Sequence, residues 1–184
     1  MVQRGGCPDI LLFLPLEVIP LNVTSKSLFI FRMRKACEIA RMKGAIFNEP
    51  VVFAQAALES AWGTSRLARE ACNLFGIKAT PSWKGPVITL PTREYVAGKW
   101  IVVPANWRKY PSWNECIVDY SRILHACPWY RDALENINDP DAFLRGLLPT
   151  VREPGWATDP IYEFKVKQIA KEIEKLGGPK WEKS

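Results

Sequence analysis

The sequence predicts an α+β domain in which helices dominate and a single β-hairpin interrupts them. Three observations carry this. Apolar residues recur three and four positions apart on both sides of a central stretch, the helical period. Between Pro86 and Tyr110 the composition turns to Val, Ile, Thr and aromatic residues broken by turn signals, the mark of short strands. Asn-Glu-Pro, Ser-x-x-Glu, Asp-Pro and Gly-Gly groups stand where helices should begin and end.

In chain order, residues 1–34 are expected to form an atypical extension. Residues 10–21 are apolar enough for an export signal, but Pro15, Glu17 and Pro20 break the run and only Arg4 precedes it. A first helix is expected over 32–43 on the spacing of Met33, Ala36, Cys37 and Ala40. Asn48, Glu49 and Pro50 open a second over 51–62, since proline is tolerated in a first turn. Gly63 interrupts it, and Thr64 or Ser65 caps a continuation over 67–71. Strands are expected over 86–96, 100–103 and 107–110, around a turn at Ala97-Gly98-Lys99. Pro86, Pro91 and Pro104 confine them to an edge-rich hairpin. Ser112 to Glu115 has capping-box spacing ahead of a helix over 116–126. Asp139-Pro140 and Asp159-Pro160 start two more helices, the last ending at Gly177-Gly178. Tyr162, Val166, Ile169, Ile173 and Leu176 give that last helix its inward stripe. One domain over 35–178, with a tail over 179–184, accounts for the 184 residues.

Lys and Arg number 25 against 19 Asp and Glu, a net charge of +6 and a pI near 9.1. This balance favours a polyanionic partner such as nucleic acid, an acidic membrane surface or an anionic cell wall. No block of five like charges and no basic stripe interleaved with aromatic residues occurs, so nucleic acid is not the expected partner. No run of eighteen apolar residues is present, which excludes a membrane-spanning helix and stable membrane insertion. The 5 cysteines lack CxxC spacing and the single histidine, His125, sits at an expected helix end. Neither a metal site nor a cofactor is expected from them. The cysteines read as mostly small buried residues of a chain made in a reducing compartment.

The second helix holds one residue out of keeping with the rest. In AQAALESAWG, Glu59 is the sole ionisable group between Glu49 and Arg66. Its neighbours one turn away are Gln55, Ala56, Trp62 and Gly63. A carboxyl among such groups loses hydration, which penalises its charged form and raises its pKa. A glycosidase uses such an acid to protonate a leaving sugar oxygen near neutral pH. Taken alone, the plain alternative is a surface glutamate. Glu94 shares strand parity with Ile88, Leu90 and Val96, and alone it reads as a charge guarding a sheet edge. Tyr162 alone reads as a core tyrosine.

The motifs AQAALESAWGTSRLA, NLFGIKA, TREYVAGKW, YPSWNECIVDYSRIL and GWATDPIYEFKV occur in that order over residues 35–176. This ordered set resembles the glucosaminidase family of peptidoglycan hydrolases, glycoside hydrolase family 73. The resemblance implies a lysozyme-like fold, with a mainly helical lobe and a small hairpin lobe flanking a substrate cleft. It implies metal-free cleavage of β-1,4 bonds in N-acetylglucosamine–N-acetylmuramic acid strands, on the outer side of the cytoplasmic membrane. Glu59 matches the family's general acid, Glu94 its second acidic residue and Tyr162 its active-site tyrosine. Trp156 stands where the family usually has tyrosine.

Sugar rings stack their C–H faces on aromatic rings, so Phe75, Trp156 and Trp62 are expected to touch substrate. Asn73 is expected to hydrogen-bond an acetamido group. Three routes stay open after proton donation: water activated by Glu94, a covalent carboxylate adduct, or attack by the substrate's own 2-acetamido group. A lytic transglycosylase, a muramidase and a non-catalytic glycan-binding or assembly protein are the alternatives. The expected partner is the peptidoglycan strand, met by a monomer.

Overall fold

The computed structural model describes residues 24–96 and 98–183, apart from the side chains of 93–96 and 100. The residues of the expected extension up to 23, with Cys7, lie outside that range.

Helix α1, Ser25–Met42, begins ahead of the expected residue 32 because Thr24 caps it, its hydroxyl accepting the Ser27 N–H at 3.1 Å. Phe29 and Ile30 are buried with Met33, Ala36, Cys37 and Ala40. Core packing therefore starts before residue 35, where the sequence places the domain boundary.

Helix α2, Glu49–Ser60, is capped by Asn48, whose Oδ1 accepts the Val51 N–H at 3.2 Å. Val51, Val52, Phe53, Ala54, Gln55, Ala56, Ala57 and Ser60 are buried, leaving this helix almost no solvent face. A helix apolar all round belongs inside a domain, and α2 packs against α7 with α1 and α6 also in contact. It ends in an unusual turn. Ala61, Trp62 and Gly63 are all left-handed, with φ of 49°, 57° and 75°. A Cβ on Gly63 would meet the Trp113 ring at 2.8 Å, so conformation and space both require glycine there. Ser65 caps α3, Arg66–Ala71, by accepting the Ala68 N–H at 3.2 Å.

The hairpin pairs β1, Val87–Val96, with β2, Lys99–Arg108, antiparallel. The second strand runs unbroken through Pro104, where the sequence predicts two pieces. Pro91 lies opposite Pro104, so the missing donors fall on one rung of the ladder. A two-stranded sheet is marginal alone, and this one is tied down at its base. Asp119 Oδ2 accepts both the Arg108 Nη1–H and the Tyr110 hydroxyl at 2.7 Å. Trp83 lies under the Arg108 guanidinium at 4.7 Å, and the Arg108 N–H reaches Ile77 O at 3.0 Å.

Helix α4, Trp113–Ala126, packs on α1. Ser112 occupies its cap position without a side-chain hydrogen bond. The expected capping box is not made, and the Glu115 carboxylate pairs instead with Lys43 at the end of α1. A 3-10 turn, Pro128–Tyr130, leads into α5, Arg131–Glu135, which packs against α6, Pro140–Gly146. Asp139 caps α6 as expected, accepting two backbone N–H groups.

Helix α7, Tyr162–Lys175, follows Asp159, whose Oδ1 accepts the Ile161 N–H at 3.0 Å. Its buried residues are Tyr162, Val166, Ala170 and Ile173. Ala170 takes the inward place expected of Ile169, which is only partly buried, and Leu176 is 36% exposed. The true helical period of 3.6 shifts the stripe by that much. Cys37, Cys116 and Cys127 are free thiols, and burial pushes the Cys116 thiol up to about 12. Cys72 corrects the expectation of reduced cysteines, for it is disulfide-bonded. No helix among the described residues is long and apolar enough to cross a membrane.

The base of the hairpin yields a stability prediction. Asp119→Ala strands the largely buried Arg108 guanidinium and the Tyr110 hydroxyl, and should cost about 3 kcal/mol, read as a lower urea midpoint. An unchanged midpoint would show that the hairpin does not depend on this anchor.

Candidate active site

A cleft of about 730 Å³ opens beside the end of α2, the start of α7 and the base of the hairpin. Glu59, Phe75, Trp107, Tyr130, Trp156 and Tyr162 are among its lining residues. Glu59 sits in the last turn of α2. The left-handed residues that follow turn the chain out of the helix, with the Ser60 hydroxyl accepting the Gly63 N–H at 2.7 Å. No further turn of α2 follows Glu59.

The Glu59 carboxyl is exposed to the cleft yet enclosed on its other sides by protein. Loss of hydration raises its pKa above the ordinary glutamate value, and a hydrogen bond from Tyr162 pulls partly the other way. Its place at the negative end of the α2 dipole also disfavours the carboxylate. Tyr162 is buried, and its hydroxyl lies 2.9 Å from Glu59 Oε1 and 3.1 Å from Gln55 Nε2. Burial, then the nearby Glu59 carboxyl, push Tyr162 far above the ordinary phenol range. It therefore stays a neutral hydroxyl throughout the working pH range.

Phe75 and Trp156 form the aromatic wall, their rings perpendicular at 6.2 Å. Tyr120 backs both, at 4.6 Å from Phe75 and 4.8 Å from Trp156. The Trp156 N–H donates to Leu147 O at 2.8 Å, which holds the rim segment in place.

Of the residues singled out in the sequence, the cleft thus brings together Glu59, Tyr162, Phe75 and Trp156. Glu94 stands on β1 opposite Ile101, and its side chain lies outside the described residues. Two expected substrate contacts are corrected. Asn73 is buried with its amide group engaged: Nδ2 donates to Ile77 O and Arg108 O at 2.9 Å, and Oδ1 accepts the Ile77 N–H at 3.0 Å. It braces the loop against the hairpin instead of facing the cleft. Trp62 turns away toward α1, edge-on to Phe29 at 5.5 Å with Lys26 Nζ 4.6 Å over its ring. Trp107 and Tyr130 line the cleft without having been singled out, Trp107 beside Gly76 at the hairpin base. Tryptophan in a strand gives no sequence signal for which face it presents. Gln55 did carry one, as a polar residue in an apolar run. Among the described residues no group of three His, Cys, Asp or Glu could hold a metal ion.

Chemically, a partly dehydrated carboxyl in an aromatic-walled groove is suited to protonating a glycosidic oxygen. On a helical body with a two-stranded flap, that chemistry places the protein among lysozyme-like glycoside hydrolase domains. Residues 36–175 match the Glucosaminidase family, described as mannosyl-glycoprotein endo-β-N-acetylglucosaminidase, and the chain belongs to that family. It is 34% identical over 161 residues to the peptidoglycan hydrolase FlgJ of Vibrio parahaemolyticus, covering 85% of this chain and 50% of that protein. It is 34% identical over 129 residues to the exo-glucosaminidase LytG of Bacillus subtilis, covering 67% of this chain and 43% of LytG. The chain thus spans about half the length of the curated relatives it matches. Among solved structures, the truncated glycoside hydrolase domain of Salmonella typhimurium FlgJ aligns with a TM-score of 0.64 and 31% identity, over 82% of this chain and 98% of that one. The catalytic domain of the Listeria monocytogenes autolysin Auto aligns at 0.66 and 29% identity, over 88% and 92%.

The raised pKa of Glu59 has a consequence for stability. An acid whose folded-state pKa exceeds its unfolded value binds its proton more tightly when folded, so stability falls as pH rises through that window. Glu59→Gln removes this penalty. The variant should melt higher than the parent at neutral pH, and the difference should shrink to nothing below the ordinary glutamate range. A parent and variant that melt together at every pH would contradict the raised value.

Proposed function

We propose that the chain is an endo-acting β-N-acetylglucosaminidase that cleaves β-1,4 bonds of the N-acetylglucosamine–N-acetylmuramic acid strands of peptidoglycan. The observation that carries this reading is the Glu59–Tyr162 pair at the wall of an aromatic cleft. The names of the relatives, peptidoglycan hydrolase and exo-glucosaminidase, support the polymer and the sugar, and the family's description as an endo-β-N-acetylglucosaminidase supports the endo mode over the exo mode of LytG. Glu59 gives its proton to the bridging oxygen, the C1–O bond breaks with its electron pair passing to that oxygen, and water completes the sugar at C1. Phe75 and Trp156 present ring faces for the sugars. Glu94, carried on the hairpin, serves as the second carboxylate that guides water, or the 2-acetamido group of the substrate takes that part. The catalytic unit takes in α1 through α7 and the hairpin. It acts as a monomer on the wall outside the cytoplasmic membrane.

Digestion of purified peptidoglycan tests this. The parent should release strands ending in reducing N-acetylglucosamine, and Glu59→Gln should lose at least about 100-fold in rate, the scale of general acid catalysis. Near-parental turnover by Glu59→Gln would refute the acid. Reducing N-acetylmuramic acid ends would make the enzyme a muramidase, and anhydro ends would make it a lytic transglycosylase.

A further inference from the structure

The mechanism leaves two buried polar residues unused. Gln55 and Tyr120 are both fully enclosed, one on α2 and the other on α4. The Tyr120 hydroxyl lies 2.7 Å from Gln55 Oε1, Gln55 Nε2 lies 3.1 Å from the Tyr162 hydroxyl, and that hydroxyl lies 2.9 Å from Glu59 Oε1. Four groups on three helices form one continuous chain of hydrogen bonds.

We propose that Tyr120 and Gln55 are positioning residues that set the direction of this relay, so that Tyr162 donates to Glu59 Oε1 and the acid carries its proton on Oε2, toward the cleft. This rests on Glu59 being the acid. The direction follows from what each atom can do. A carboxamide oxygen only accepts and its NH₂ only donates, whereas a phenolic hydroxyl does both. By shape alone the two ends of Gln55 are interchangeable. Tyr120 breaks the tie, since among the described residues its hydroxyl has no hydrogen-bond partner other than Gln55. If the amide turned round, NH₂ would face Tyr120 and leave the tyrosine hydrogen unpaired in a dry interior, where an unmade hydrogen bond is costly.

With Oε1 of Gln55 held toward Tyr120, its NH₂ must donate to Tyr162. The Tyr162 hydrogen is then committed to Glu59 Oε1, and a proton on that same oxygen would collide with it. Oε2 remains. It has no protein partner among the described residues, and the residue is exposed to the cleft. The packing of Tyr120 against Phe75 and Trp156 fixes its ring, so the wall that receives the sugar also orients the proton that cleaves it.

The test is a pH–rate study of conservative variants. Glu59 must be protonated, so kcat/KM is lost as pH rises through its pKa, and donation from Tyr162 holds that limb down. Tyr120→Phe frees Gln55 to turn and accept from Tyr162. The basic limb should then move to higher pH, with plateau kcat lower by about three- to tenfold and KM little changed. Tyr162→Phe should move the limb the same way, and adding Tyr120→Phe to it should move it no further. A Tyr120→Phe limb that overlays the parent's would overturn the relay, as would an equal shift in the Tyr162→Phe background. If Tyr120→Phe folds poorly, the Gln55→Met/Tyr120→Phe pair removes the amide that could compete for the Tyr162 hydrogen, so the limb should stay near the parent's, and a shift as large as that of Tyr162→Phe would overturn the relay. Glu59→Gln is assayed alongside. Activity in that variant removes the acid itself, whereas an inactive Glu59→Gln with an unmoved Tyr120→Phe limb removes only the relay.

Discussion

The hydrogen bond from Tyr162 to Glu59 joins residues 103 positions apart in the chain, and it exists because α2 lies against α7. The bond itself has little power to create that arrangement, since one intramolecular hydrogen bond contributes only about 1 kcal/mol net. Burial does the aligning. Phe53, Val51 and Val52 on α2 and Val166 and Ile173 on α7 are almost wholly removed from water, and each such side chain is worth about 1.5–3 kcal/mol. Sliding either helix would cost several of these contacts. The core fixes where the carboxyl and the hydroxyl stand, and the hydrogen bond then adjusts the proton between them.

The hairpin on the far side of the cleft obeys a different constraint. Its base is welded to α4 through Asp119 and to the loop after α3 through Asn73, both using satisfied polar groups in a dry setting. Toward the turn, Ile101 and Val102 are 41% and 66% exposed and have no core to pack on. The anchoring bonds are therefore concentrated at the base, where Trp107 meets the cleft, and Glu94 lies nearer the turn.

Much of this arrangement was legible in the sequence, for reasons that can be stated residue by residue. The caps at Asn48, Ser65 and Asp139 act locally, so their chemistry is visible in a few neighbouring letters. Glu59 stood out because a lone charge in an apolar helix is unusual whatever the fold. Other features depended on distant partners. In place of the capping box at Ser112, Glu115 pairs with Lys43, 72 positions away. Trp62 and Asn73 lie in the right motifs but on the wrong side of their turns, since three left-handed residues send Trp62 toward α1. The link between Gln55 and Tyr120 spans 65 positions and leaves no periodic trace.

For Glu59 as the proposed acid, its placement reconciles two opposed demands. On an open surface, Glu59 would be ionised near neutral pH and useless as a proton donor. Deep in the core it would stay neutral, but no sugar could reach it. The last turn of a largely buried helix meets both conditions, with protein mass behind the carboxyl and the cleft in front. The cost shows in the same few residues: a dehydrated acid followed by Ala61 and Trp62 in left-handed backbone, each disfavoured by about 1–2 kcal/mol. Such strain persists only where the surroundings over-determine it. The rest of α2, buried along nearly its whole length, is the element of this fold best able to hold it.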